Sequence, residues 1–379
     1  MKYIKDKLTR DILEPAGIKI NGKEVWDPQI KNDKIFSRIA KQQSLGLGEA
    51  YMDGWWECNN LEEFFYRILS SSMNDKDNNL DGRPKGFFEG LIYRYMPLLV
   101  NQQTFKRSTK VAYEHYDVGN DVYDLMLGKD MQYTCAYWQE SETLDEAQHN
   151  KLDLICRKLK LKPGMEVLEL GGGFGGLARF MAKNYGCSVT VYNIAREQIK
   201  RAQELTAGLK VKIIESDYRN AMGVYDRVAA IGLAEHVGFK HYRTLMEKAY
   251  SCLKDKGLFI IQTNGSNNTM HHYEPWMEKY IFPNSMIPSA KQLSIASEGL
   301  FMMEDWHVMS GNYYKTLMSW YDNFVKEFHK IKDKYDERFY RMWCYYLLFS
   351  AASHRSRSVQ LWQLVLSKNN VGVPYVSGR

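Results

Sequence analysis

The stretch MEVLELGGGFGG, residues 165–176, decides the fold. MEVLEL reads as a short buried strand, and it runs directly into a cluster of glycines. Gly171, Gly173 and Gly176 form G-x-G-x-x-G, and the helical LARFMAKNYG (177–186) follows at once. Glycines at such a strand-to-helix turn let backbone approach a ligand closely and bend sharply. Upstream, EAQHNKLDLICRKLKL (146–161) places Leu152, Ile155, Cys156 and Leu159 on one helical face, and Pro163-Gly164 ends it. Downstream, strands SVTVYNI (188–194), VKIIESD (211–217), RVAAIGL (227–233) and GLFIIQT (257–263) alternate with helices AREQIKRAQELT (195–206) and HYRTLMEKAYSCLK (241–254). That alternation predicts an α/β domain with a parallel sheet covered on both faces. One late strand-like run, VQLWQLVLS (359–367), follows a mainly helical remainder.

Toward the amino terminus the pattern changes. Residues 1 to about 70 read as a compact helical unit with a glycine-punctuated turn, SLGLGEAYMDGWW (44–56). SSSMNDKDNNLDGRPKG (70–86) reads as a loop. The apolar stretch Phe87–Val100 is either a membrane-lying amphipathic helix or a segment packed on its own domain, and the basic NQQTFKRSTK (101–110) comes next. A domain boundary is expected near residue 105, giving domains 1–105 and 106–379.

Composition narrows the class. Of 379 residues, 45% are hydrophobic and 25% charged, the balance of a folded globular protein. No apolar run approaches the roughly 20 residues of a membrane-spanning helix. The opening MKYIKDKLTRDILEP has acidic residues and no apolar core, unlike a secretory leader. Six scattered cysteines without CxxC spacing argue against a zinc site or disulfide framework, and no metal is expected. A net charge of +6 fits either ordinary surface variation or weak attraction to an anionic leaflet, where each placed cation contributes about 1 kcal/mol. A nucleic-acid partner is not expected. The 13% aromatic content hints at a large apolar pocket or interfacial contact.

The glycine loop alone does not choose a ligand, because dinucleotide-binding dehydrogenases share it. Those enzymes carry an acidic residue about 20 positions on, at the end of the second strand. Here that strand ends in Tyr192-Asn193. Glu169, just before the first glycine, suits a cationic amino group, and Asp217, ending the third strand, suits an adenine amine. These features favour S-adenosylmethionine over NAD.

Several segments are more specific. SLGLGEAYMDGWWECN (44–59), EHYDVGNDVYDLML (114–127), MQYTCAYW (131–138), EHVG (235–238), KYIFPN (279–284) and MEDWH (303–307) resemble, in order, the bacterial cyclopropane-fatty-acyl-phospholipid synthases. The resemblance runs from about residue 10 to 365. It implies a Rossmann-like class I methyltransferase sheet with a helical lid, plus a small, mainly helical amino-terminal domain. The implied substrates are S-adenosylmethionine and unsaturated phospholipids, met by a likely homodimeric enzyme peripherally bound to the inner face of the cell membrane. It further implies a bound bicarbonate as base, with Cys135, Glu235, Gln262 and Tyr313 around it (Tyr314 is an adjacent alternative). Tyr133, Thr134, Gly171, Gly173, Gly175 and Gln198 would contact the cofactor, alongside Glu169, Asn193, Asp217 and Tyr218. KYIFPN, FMMEDW and NYYKTLMSWY are expected to line an apolar tunnel.

This chain departs from the family pattern at the site. The usual His-Thr-Ile-Gly is Gln262-Thr263-Asn264-Gly265, the usual GCGWGG is GGGFGG, and Asn193 and Ala195 replace a usual Thr-x-Ser. Glutamine keeps a donor and an acceptor but cannot become cationic. Three readings follow: a cyclopropane synthase with an adjusted base pocket, a paralogue giving methyl-branched or methylene chains, and a non-catalytic lipid-binding relative.

Overall fold

The computed structural model describes residues 2–74, 119–369 and 374–379. The Phe87–Val100 stretch, the expected boundary near 105 and most of the 70–86 loop lie outside the described residues. The chain divides into two compact units.

The described part of the first unit comprises residues 2–74, 272–283 and 313–359. Segments from late in the sequence therefore share a unit with the amino-terminal helices. A two-residue strand β1 (Gln29–Ile30) pairs antiparallel with β2 (Trp56–Glu57). The segment read as a glycine-punctuated turn is mostly helix, since Lys34–Met52 continues through it with a kink at Gln43, and the chain turns only at Gly54 (φ +71°). The helix keeps its glycines for close approach. A Cβ on Gly48 would lie 2.3 Å from Trp276 Cδ1. Glu49 joins this motif to KYIFPN: Lys279 Nζ (2.5 Å), Tyr280 Oη (2.8 Å) and Arg38 Nη2 (2.5 Å) all donate to its carboxylate. Burial works against ionisation there, yet these donors hold Glu49 down at about 2. Trp276 packs 4.4 Å from Tyr345, itself 4.9 Å from Phe65, so much of the aromatic content is core in this unit.

The second unit carries a seven-stranded sheet. Its strands are β3 (Glu166–Leu170), β4 (Ser188–Asn193), β5 (Val211–Glu215), β6 (Tyr225–Ile231), β7 (Leu253–Gly265), β8 (Met302–Val308) and β9 (Gln360–Ser367), in the order β5-β4-β3-β6-β7-β9-β8. The first five are parallel, and β9 runs antiparallel between β7 and β8. Period-two alternation feeds two cores. Leu168, Leu170, Val228, Ala230, Phe259 and Ile261 pack toward helix Tyr242–Ser251. Val167, Val189, Ala229, Ile260 and Val365 pack toward helices Leu144–Lys158 and Gly176–Tyr185. The former helix starts at a capping box between Thr143 and Glu146, which satisfies two otherwise orphaned backbone donors.

β8 is a strand that the periodicity did not reveal. Its segment, FMMEDW, was expected to line a tunnel, but Met302 and Met303 are 50% and 42% exposed on this edge strand. The inward residue is Asp305, ion-paired with the fully buried Lys158 at 3.0 Å. A charge at an alternating position masks the strand pattern. Among the described residues no helix is long and apolar enough to cross a membrane.

Candidate active site

The site forms where β3, β4, β6 and β7 end, as expected for an open parallel sheet. Gly171 N–H donates to Tyr192 O (2.8 Å), tying the glycine loop to β4. Gly175 sits at φ +76° as the helix N-cap, a conformation that favours glycine. Gly173, at φ +51°, faces open space, since a Cβ there would meet nothing within 4 Å. Backbone at that point is accessible to a ligand.

Glu169 is 3% exposed, and its Oε2 has no hydrogen-bond partner among the described residues. Burial pushes its carboxyl up, opposed by the nearby Lys151 ammonium. A buried carboxyl oxygen left unspent beside a glycine loop suits a cationic amino group. Asn193 does different work. Its Nδ2 donates to Gly173 O (3.1 Å) and Gln198 Oε1 (3.3 Å), so it shapes the loop and positions Gln198. Asp217 is clamped by Arg219 through Nε and Nη2, each at 2.7 Å. The neighbouring Tyr218 hydroxyl is buried without a partner among the described residues, and burial pushes it well up.

The MQYTCAYW segment lies over this loop. A Cβ on Gly176 would meet Asp130 O at 2.3 Å, and one on Gly232 would meet Thr134 Cγ2 at 3.1 Å. Tyr133 packs edge-on against Tyr123 (5.1 Å), which in turn contacts Phe174 (5.6 Å). Cys135 is fully buried.

Glu235 follows β6 on the short helix Ala234–Val237. Asn264 donates to its Oε1 twice, from the backbone N–H (2.7 Å) and from Nδ2 (3.0 Å). Its Oε2 is buried and unspent among the described residues, and burial raises the carboxyl above its ordinary range. Two positions along β7, on the same face as Asn264, Gln262 accepts from Gln363 and keeps Nε2 unspent. Tyr313 lies in the first unit, on helix Ser310–Glu327, 4.6 Å from the His354 ring and 6.0 Å from Trp320.

Sequence reasoning missed Lys151, Tyr123 and Gln363. Lys151 had a readable sign, since it stands four residues before Ile155 on the apolar face of its helix. The His271-His272 pair is half-buried, with His271 against Phe239 at 4.8 Å.

The sequence pattern of the family described as mycolic acid cyclopropane synthetase matches residues 103–364. The cyclopropane-fatty-acyl-phospholipid synthase of Escherichia coli K12 is 44% identical over 362 residues, covering 96% of this chain and 93% of that protein. The chain belongs to the cyclopropane-fatty-acyl-phospholipid synthase family. It is an enzyme, an S-adenosylmethionine-dependent methyltransferase, and the non-catalytic reading is set aside. More distant is sphingolipid C9-methyltransferase A of Emericella nidulans, 32% identical over 75% of this chain and 58% of that protein. Among solved structures, mycolic acid cyclopropane synthase CmaA1 complexed with SAH and CTAB has a TM-score of 0.65 at 24% identity, over 69% of this chain and 98% of that one. Coclaurine N-methyltransferase bound to N-methylheliamine and SAH has a TM-score of 0.67 at 20% identity, over 86% and 99%. Both share the class I methyltransferase fold.

Proposed function

We propose that this family member adds a methylene bridge across the cis double bond of unsaturated phospholipid acyl chains, working as a homodimer at the inner membrane surface. An isolated alkene is a weak nucleophile and attacks the sulfonium methyl only when held in line with it. Glu169 and the glycine loop orient the donor, while Tyr133 and its aromatic neighbours offer ring faces to the carbocation that forms. Loss of a proton from the new methyl group closes the ring.

The observation that carries this reading is the pair of unspent groups beside Asn264. Gln262 Nε2 is a donor, and Glu235, kept toward its neutral form by burial, supplies a second donor at Oε2. Two such donors fit a small anion, here bicarbonate, with Cys135 as a further contact carried over from the family. Bound there, bicarbonate would supply the base for ring closure. Glu235 and Gln262 hold and orient it, and burial excludes bulk water.

A second reading has its own support. Gln262 stands where the family usually has histidine, and a relative's name describes methylation of a sphingolipid. Weaker anion binding would let the cation lose its proton without closing the ring, leaving a methylene branch or, with loss from a neighbouring chain carbon, a methyl-branched alkene.

The decisive experiment incubates purified protein with S-adenosylmethionine and vesicles of unsaturated phospholipid, with and without bicarbonate, and analyses the acyl chains by mass spectrometry. A ring adds one CH2 and resists mild hydrogenation, whereas a methylene branch of the same mass is hydrogenated. A methyl-branched alkene has that same mass and is hydrogenated as well. Bicarbonate-independent product would overturn the assignment of the base. Residues 1–105 are proposed to assist lipid capture, predicting activation by anionic vesicles that fades with salt.

A further inference from the structure

Lys151 is the most unusual side chain of the second unit outside the predicted site. It is 0% exposed, in the middle of helix Leu144–Lys158, where a lysine ordinarily reaches solvent. Its ammonium donates to Gln132 Oε1 and, at 3.0 Å, to Thr134 Oγ1. One turn earlier, Gln148 Nε2 donates to Thr134 O (2.9 Å). One helix therefore grips both the side chains and the backbone of the segment that carries Tyr133 and Cys135.

That segment is pressed onto the cofactor loop. Gln132 Nε2 lies 2.2 Å from where a Cβ on Gly176 would stand, and Arg179 of the following helix donates to Asp130 (2.6 Å). Glu169 feels the same ammonium. Burial pushes the Lys151 ammonium down to about 7, and a buried amine is costly to hold unless its hydrogen bonds are made, as they are here to Gln132 and Thr134.

We infer that Lys151 is a positioning residue for cofactor capture: its buried ammonium fixes Gln132 and Thr134, and so sets Tyr133 and Cys135 over the glycine loop. A methionine of similar length keeps the packing and removes the anchor.

The test measures SAH binding by calorimetry on the full chain, with circular dichroism as the check on folding. Lys151→Met is expected to fold and to lose SAH affinity roughly tenfold or more, the worth of hydrogen bonds from a charged donor. Gln132→Met is expected to lose affinity on its own. Added to Lys151→Met, it should cost nothing further, because the lysine acts through Gln132. A merely structural lysine would give additive losses in affinity. Parent-like SAH affinity in folded Lys151→Met, or additivity in the combined variant, overturns the inference. If Lys151→Met does not fold, Gln132→Met decides alone, and unchanged SAH affinity in it overturns the inference.

Discussion

Gln363 Nε2 donates to Gln262 Oε1 at 2.8 Å, across the register pair that joins β9 to β7. The contact occupies the Gln262 oxygen and leaves its Nε2 without a partner among the described residues. Replacing Gln262 with leucine should therefore separate two properties. Alone, it strands the buried Gln363 Nε2 and should cost about 1–3 kcal/mol, whereas with Gln363→Leu as well stability should return to that of the parent or rise above it. Turnover should fall by about tenfold to a hundredfold, the worth of one hydrogen bond to an anion. Denaturant melts and acyl-chain analysis of both variants check the split.

Glu235 carries the pH dependence. Its carboxyl is raised by burial, so it stays protonated where an ordinary glutamate has ionised. The neutral form donates to an anion and the ionised form repels it. Bicarbonate stimulation should decline as pH rises through that raised value. Glu235→Gln keeps a neutral donor and should hold turnover within about tenfold of the parent, whereas Glu235→Leu should lower it by about tenfold to a hundredfold, the worth of one hydrogen bond to an anion. The glutamine variant has no ionisable group at this position. It should also flatten the alkaline limb while SAH affinity stays unchanged.

The glycine loop offers an internal control. Gly173→Ala meets nothing within 4 Å, so its cost to the free protein is only the backbone strain, about 1 kcal/mol. SAH affinity should nevertheless drop by tenfold or more, because the methyl would occupy the ligand's approach. Gly175→Ala, 2.9 Å from Ala202 Cβ, should instead destabilise the fold. Equal SAH affinity in Gly173→Ala and the parent would remove that glycine from the binding surface.

Acid should attack the first unit through Glu49. Its carboxyl is held at about 2 against an ordinary 4.5, so its stabilisation is complete above 4.5 and is lost as pH falls toward 2. Glu49→Gln should cost roughly 2 kcal/mol at neutral pH and leave a shallower acid limb in denaturant titrations.

Much of this was readable in advance. The alternation of buried strands and amphipathic helices located β3 to β7, and the glycine cluster marked the turn from β3 into helix Gly176–Tyr185. β8 was hidden because Asp305, an inward residue, is charged, and its distant partners Lys158 and Arg379 account for it. The helical reach of Lys34–Met52 was hidden for a related reason: Gly48 reads as a turn residue until Trp276, far along the chain, is seen to need the space. Asn264 was noted as a departure, but its grip on Glu235 depends on β6 and β7 lying side by side. Local pattern is legible in one dimension, whereas partnership between remote residues is not.

Among the described residues β9 is the last strand in the chain yet lies inside the sheet, between β7 and β8, and β8 has no other neighbouring strand there. During synthesis the amino-terminal helices and β3 to β7 can emerge and collapse while Gln363 is still within the ribosome. A nascent chain released before β9 would carry a glycine loop but an unsupported Gln262, and would expose the open flank of β7 to other chains. Quality control of this enzyme therefore falls on the codons of β9: errors there should yield aggregation-prone dead product rather than a partly working catalyst.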